Sequence, residues 1–167
     1  QSLGLQPDDP DAQAAAGKIL AEENQAEQAI THLSAAVRLN PEDAKSHHLL
    51  GMLWSGQGRY DLALRHLERV AELEPGLPKA HFNVGIARAL MGDHAGARLH
   101  FKKTLAMDPR DVEALHSMGV SFFREERFAA AASHFRRALA LRPDFEKSRA
   151  MLQEALEKGE KSGTNGS

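Results

Sequence analysis

The stretch 44–77, AKSHHLLGMLWSGQGRYDLALRHLERVAELEPGL, carries two apolar stripes separated by a glycine-rich break. From Ala44 to Gln57 the apolar side chains fall at Leu50, Leu53 and Trp54. From Tyr60 to Leu73 they fall at Ala63, Leu67, Val70 and Ala71. Spacings of three and four gather such residues on one face of a helix. Gly56 and Gly58 lie between the stripes, and glycine readily takes the left-handed conformation that ends a helix. Pro75 closes the stretch, because a proline forces the residue before it out of the helical region. The segment predicts two amphipathic helices joined by a tight turn.

Working outward, the same design recurs. Pro7, Pro41, Pro75, Pro109 and Pro143 are spaced 34 residues apart, as are Gly17, Gly51, Gly85 and Gly119, and Ala29, Ala63, Ala97 and Ala131. A fixed period of this length marks a stacked repeat array, in which each unit buries its apolar face against its neighbours. Four full units follow, at 10–43, 44–77, 78–111 and 112–145. Asn24 and Gly92 supply the helix stop in the first and third. The fourth has Glu126 there and predicts a less comfortable turn. The glycine and alanine columns read as sites of close helix crossing, where a larger side chain would hold the backbones apart.

The ends carry fragments of the pattern. Leu3, Leu5 and Pro7 share columns with Val37, Leu39 and Pro41, so 1–9 reads as the end of a truncated preceding repeat, or else as a short leader. Because the chain starts at Gln1, further sequence upstream is expected. Residues 146–158 predict a capping helix: Leu152, Ala155 and Leu156 form a narrow apolar stripe, and charged side chains coat the rest. Residues 159–167 read as a flexible tail. Within it, Asn165–Ser167 is formally a glycosylation acceptor.

The columns resemble the tetratricopeptide repeat pattern: aromatic, two spacers, Leu-Gly, two spacers, aromatic, then Ala, three spacers, aromatic, and a closing proline. The second unit places His47, Leu50, Gly51, Trp54, Ala63, Leu67 and Pro75 there. The third has His81, Val84, Gly85, Arg88, Ala97, Phe101 and Pro109, and the fourth Leu115, Met118, Gly119, Phe122, Ala131, Phe135 and Pro143. The first, with Gln13, Ala16, Gly17, Leu20, Ala29, Leu33 and Pro41, matches least well. The resemblance implies an all-α fold, an α-solenoid of four stacked helix-turn-helix repeats forming a right-handed superhelix, plus the C-terminal capping helix. It also implies a concave groove lined by the first helix of each pair, where a partner peptide or helix binds.

The stripe opposite the buried face supplies the groove candidates: Lys45, His48, Leu49 and Met52 in the second unit, Lys79, Phe82, Asn83, Ile86 and Leu90 in the third, and His116, Val120, Phe123 and Arg124 in the fourth. Its middle is apolar, and a monomer seldom leaves a contiguous apolar patch bare. Met52, Phe82, Ile86, Val120 and Phe123 are expected to supply burial; Lys45, Lys79, Asn83 and Arg124 are expected to orient the bound segment. Some of these side chains could instead fold into helix seams. The family's carboxylate clamp, a Lys/Asn/Arg set for a peptide C-terminus, would fall at His48, Met52, Asn83, Glu113 and Ser117. Only Asn83 suits it.

His32, His66, His100 and His134 form one more column, beside the alanines on the second helices. Equivalent helices lie on the order of 10 Å apart, whereas zinc ligands sit ~2 Å from the metal. The column therefore reads as half-buried seam packing, with a pH response where histidine titrates as the alternative, and no metal or cofactor is expected. No phosphate-binding glycine loop, G-x-S-x-G, H-E-x-x-H or CxxC occurs, so the chain reads as no enzyme.

The bulk numbers agree. The net charge of -2, from 21 basic and 23 acidic residues, gives no general attraction for nucleic acid. There is no cysteine, and no apolar run reaches the ~20 residues of a membrane span. The Arg-over-Lys excess and abundant alanine suggest a bacterial-type composition. The chain reads as soluble, and cytoplasm and periplasm are both open. The expected function is a protein-protein interaction scaffold with apolar anchors in its groove. The alternatives are a substrate-recruiting or regulatory region of a longer enzyme, and a scaffold that self-associates.

Overall fold

A computed structural model describes residues 9–164. Every regular element among them is an α-helix, and the helices divide between two compact units, Gln1–Pro75 and Gly76–Ser167. The first unit contains α1 (Pro10–Glu22), α2 (Ala26–Leu39), α3 (Ala44–Gly56) and α4 (Tyr60–Leu73). The second contains α5 (Pro78–Leu90), α6 (His94–Met107), α7 (Val112–Arg124), α8 (Phe128–Leu141) and α9 (Glu146–Thr164). Helices pack as antiparallel pairs, α1 with α2, α3 with α4, α5 with α6 and α7 with α8, and α9 packs on α8. This is an all-α repeat solenoid.

Local chemistry sets the boundaries. Asp9, Asp43 and Asp111, one residue per repeat in a single column, cap α1, α3 and α7 by accepting hydrogen bonds from backbone N–H groups of the first turn. The third repeat has Leu77 at that place and starts instead with Pro78 at the first helical position, where no N–H is needed. Asn24, Gly58, Gly92 and Glu126 occupy one column of the intra-pair turns, and all four have positive φ, between 59° and 85°. Glu126 is held at φ 59° without glycine's freedom, as the sequence predicts. Asn40, Glu74, Asp108 and Arg142, each just before a proline, are the C-caps of α2, α4, α6 and α8.

The glycine column has a sharper packing role than a generic close crossing. A Cβ on Gly17 or Gly51 would lie 2.6 Å from Leu33 or Leu67; on Gly85 or Gly119 it would lie 2.5 Å from the ring of Phe101 or Phe135. The side chain sixteen residues later on the paired helix thus presses directly onto the glycine. Leu33, Leu67, Phe101 and Phe135 are buried, as are Ala29, Ala63, Ala97 and Ala131 beside them.

α9 takes the place of a further first helix. Ser148 continues the small, buried column of Ser46, Ala80 and Ala114. Gln153 stands in the glycine column and is exposed; among the described residues no paired helix presses on it. The helix does not stop at Lys158. It runs through Gly159 to Thr164, so the expected tail is helical over 159–164. The Glu154–Lys158 pair (3.1 Å) and the Ser162 hydroxyl, which donates to the Lys158 carbonyl, support that extension. A Cβ placed on Gly159 would lie 3.5 Å from the Phe128 side chain, so the helix passes close to the start of α8. The expected truncated repeat at 1–8 and the acceptor at 165–167 lie outside the described residues.

Candidate functional site

In the second unit a cleft of about 290 Å³ opens between α5 and α7, with Phe101 of α6 at its base. Ile86, Ala89 and Leu90 form one wall. His116, Ser117, Val120, Ser121 and Arg124 form the other, and His94 stands at the start of α6. Five of the expected groove residues meet here: Ile86, Leu90, His116, Val120 and Arg124. Leu90 is 54% exposed despite its apolar side chain. Arg124 is exposed at the rim, with no ion pair among the described residues. The site is an apolar trough with a cationic edge.

Neighbouring candidates divide between surface and seam. Lys79 is exposed, and its ammonium lies 4.7 Å over the Phe82 ring. Phe82 itself packs against Phe101, with ring centroids 5.8 Å apart, and lends most of its surface to the α5/α6/α7 core. Asn83 is half-buried, and its Nδ2 has no hydrogen-bond partner among the described residues. Phe123 is turned toward α8 and α9. It meets Phe128 edge-on at 5.3 Å, lies beneath the Lys158 ammonium and does not line the cleft. The ring is drawn into the seam where α9 meets α7 and α8.

His116 is likewise more than a groove side chain. Its ring packs 5.5 Å from Phe135 and 5.3 Å from Phe145, and Nδ1 lies 2.9 Å from the Ser148 hydroxyl. One edge faces the cleft while the remainder locks α7 to α8 and α9. Burial pushes its pKa below the usual histidine value.

In the first unit Lys45 and Met52 are exposed on α3 and His48 is half-buried. Leu49 packs partly on the Ile30–Leu33–Leu50 core. Adjacent to it, the histidine column finds partners nineteen residues upstream. His32 Nδ1 is 2.8 Å from Gln13 Oε1, His66 Nδ1 is 3.0 Å from His47 Nδ1, and the His81 and His100 rings are 5.8 Å apart. The fourth repeat has Leu115 at that place, and His134 stacks on Phe122 instead. These are packing contacts, one per repeat.

His94 and Ser121 escape sequence reasoning. His94 opens a second helix, where a polar residue reads as solvent-exposed, and Ser121 falls in the buried column of Leu53 and Ala87. Only the packing of α6 against α7 brings both to the cleft.

Sequence profiles of tetratricopeptide repeats match residues 49–112 and 87–144, and a further TPR profile matches 17–53. The chain belongs to the tetratricopeptide repeat family. Among solved structures it is similar to YrrB, described as a TPR protein with an unusual peptide-binding site: 24% identity, TM-score 0.84, covering 89% of this chain and 76% of that one. It is also similar to MamA (14% identity, TM-score 0.78, covering 91% and 88%) and to MamA 41-end from Desulfovibrio magneticus RS-1 (22%, 0.76, covering 83% and 78%). Comparison with curated proteins gave no significant match. Within these repeats α5 and α7 are the first helices of their pairs. Among the described residues no helix is long and apolar enough to cross a membrane.

Proposed function

We propose that the chain is a non-enzymatic interaction scaffold that holds an extended or helical segment of a partner protein against the α5/α7 face. The observation that carries this reading is the cleft itself: an apolar trough walled by Ile86, Leu90 and Val120, with Arg124 exposed at one rim. An apolar side chain of the partner would enter the trough, and burying one such residue contributes roughly 1.5–3 kcal/mol. Arg124 and Lys79 would orient it by charge, favouring an acidic residue or chain end beside the apolar anchor. The description of YrrB as having a peptide-binding site, on a similar fold, supports the same class of ligand.

The test uses residues that carry no packing. Phe82 and Phe123 are poor choices, because both support helix seams. Leu90→Glu and Arg124→Glu alter exposed positions only. Peptides selected from a displayed random library against the intact chain should share an apolar anchor flanked by acid. Each variant should weaken their binding tenfold or more while keeping the helical circular dichroism and melting midpoint. Undiminished binding to both variants would overturn the proposal.

A further inference from the structure

The net charge of -2 hides a strong asymmetry. The first unit, 1–75, has 6 basic and 12 acidic residues, a net of -6; the second, 76–167, has 15 basic and 11 acidic, a net of +4. Much of the positive excess stands on the solvent face of the second helices. Lys102 and Lys103 on α6, and Arg136 and Arg137 on α8, are one repeat apart, all exposed, and none has an ion-pair partner among the described residues. The corresponding positions in the first unit are Ser34 and Ala35 on α2, and Glu68 and Arg69 on α4. The paired basic columns are thus particular to the second unit. On the acidic side, Glu23, Glu42 and Glu74 are exposed and have no cationic partner among the described residues.

We infer that the solvent face of α6 and α8 is a docking surface for the acidic first unit of a second copy of this chain. Charge complementarity identifies the occupant: the second unit, which carries the basic columns, has a net charge of +4, and the first unit a net charge of -6. The contact pairs two different surfaces, and each copy carries one of each. Exposed charges attract over roughly 10 Å at 0.1 M salt and far less at higher ionic strength, so the association is salt-labile. It uses the second helices and leaves the α5/α7 cleft free, and it stands independently of the ligand proposed there.

Light scattering on the 167-residue chain tests this. In about 0.02 M salt, where screening is weak, the mass should rise with concentration above that of one 18.3 kDa chain. It should fall back to one chain in about 0.5 M salt. The variant Lys102→Glu, Lys103→Glu, Arg136→Glu, Arg137→Glu should stay monomeric at low salt, and so should Glu23→Lys, Glu42→Lys, Glu74→Lys. Mixing the two variants should restore association, because one then offers only acidic faces and the other basic ones. All substitutions are at exposed positions, and circular dichroism verifies that both variants fold. A wild-type chain monomeric at low salt, assembly indifferent to salt, or variants that assemble alone would each overturn the inference. So would wild-type chains that stay monomeric while binding phosphatidylserine vesicles or single-stranded RNA through α6 and α8.

Discussion

At the scale of single residues, the His47–His66 contact has a definite proton arrangement. His47 Nε2–H donates to the Pro41 carbonyl at 3.2 Å, which leaves Nδ1 of His47 to accept from Nδ1–H of His66. A further proton would set two N–H groups against each other. Burial, foremost, lowers both pKa values; the Arg69 guanidinium adds to the effect at His47 and the neighbouring His47 ring and Arg65 at His66, against the opposing Asp43 carboxylate and the Pro41 carbonyl beside His47. Burial also lowers those of His116 and His134. The unfolded chain then binds more protons than the folded one as pH drops through the ordinary histidine pKa, so stability falls with pH. The melting midpoint should be lower at about pH 5.5 than at about pH 7.5, a window above the carboxylate range. His66→Gln should reduce that dependence without abolishing it, and a midpoint that rises toward acid would contradict the assignment. Glu126 offers a second test at this scale. A left-handed non-glycine residue costs about 1–2 kcal/mol, part of which glycine's greater unfolded freedom offsets. Glu126→Gly should therefore stabilise the second unit by roughly 1 kcal/mol in chemical denaturation, and a loss of stability would show that the Glu126 side chain contributes something else.

At the scale of helices, the pairs are held by a large side chain pressed onto a glycine. In Gly85→Ala the new methyl would meet the Phe101 ring, which is itself enclosed by Ala97 and Met118 and cannot swing away. The expected loss is about 1–3 kcal/mol, as for other overpacked cores. Ala97→Leu should lose a similar amount, about 1–3 kcal/mol, because Ala97 is wholly buried at the same crossing. Unchanged melting midpoints would refute the placement of both columns. The helices were legible in the sequence because proline, glycine and alanine columns report backbone requirements that repeat without alteration. Side-chain direction was less legible. Phe123 and Val120 stand on the same helical stripe, yet Val120 lines the cleft and Phe123 turns to α9, because the neighbouring helix and not the period decides where a ring finds cover. The extension of α9 past Gly159 was hidden for a related reason. Its support comes from the Glu154–Lys158 pair and the Ser162 hydroxyl, against a local composition that reads as a tail.

At the scale of the whole molecule, a repeat array distributes its stability between neighbouring elements and leaves the exposed faces of its first helices free for recognition. Those faces are where the sequence was most informative about place and least about identity. It located Ile86, Leu90, Val120 and Arg124 on one stripe, but His94 and Ser121 join them only through packing. The central claim is that a partner segment is held in the α5/α7 cleft, and amide chemical-shift mapping tests it most directly. On titrating a selected peptide into the isotope-labelled chain, the largest shifts should fall at Ile86, Leu90, Val120 and Arg124, with little change on the solvent faces of α6 and α8. Shifts concentrated on those solvent faces, with the cleft silent, would contradict it.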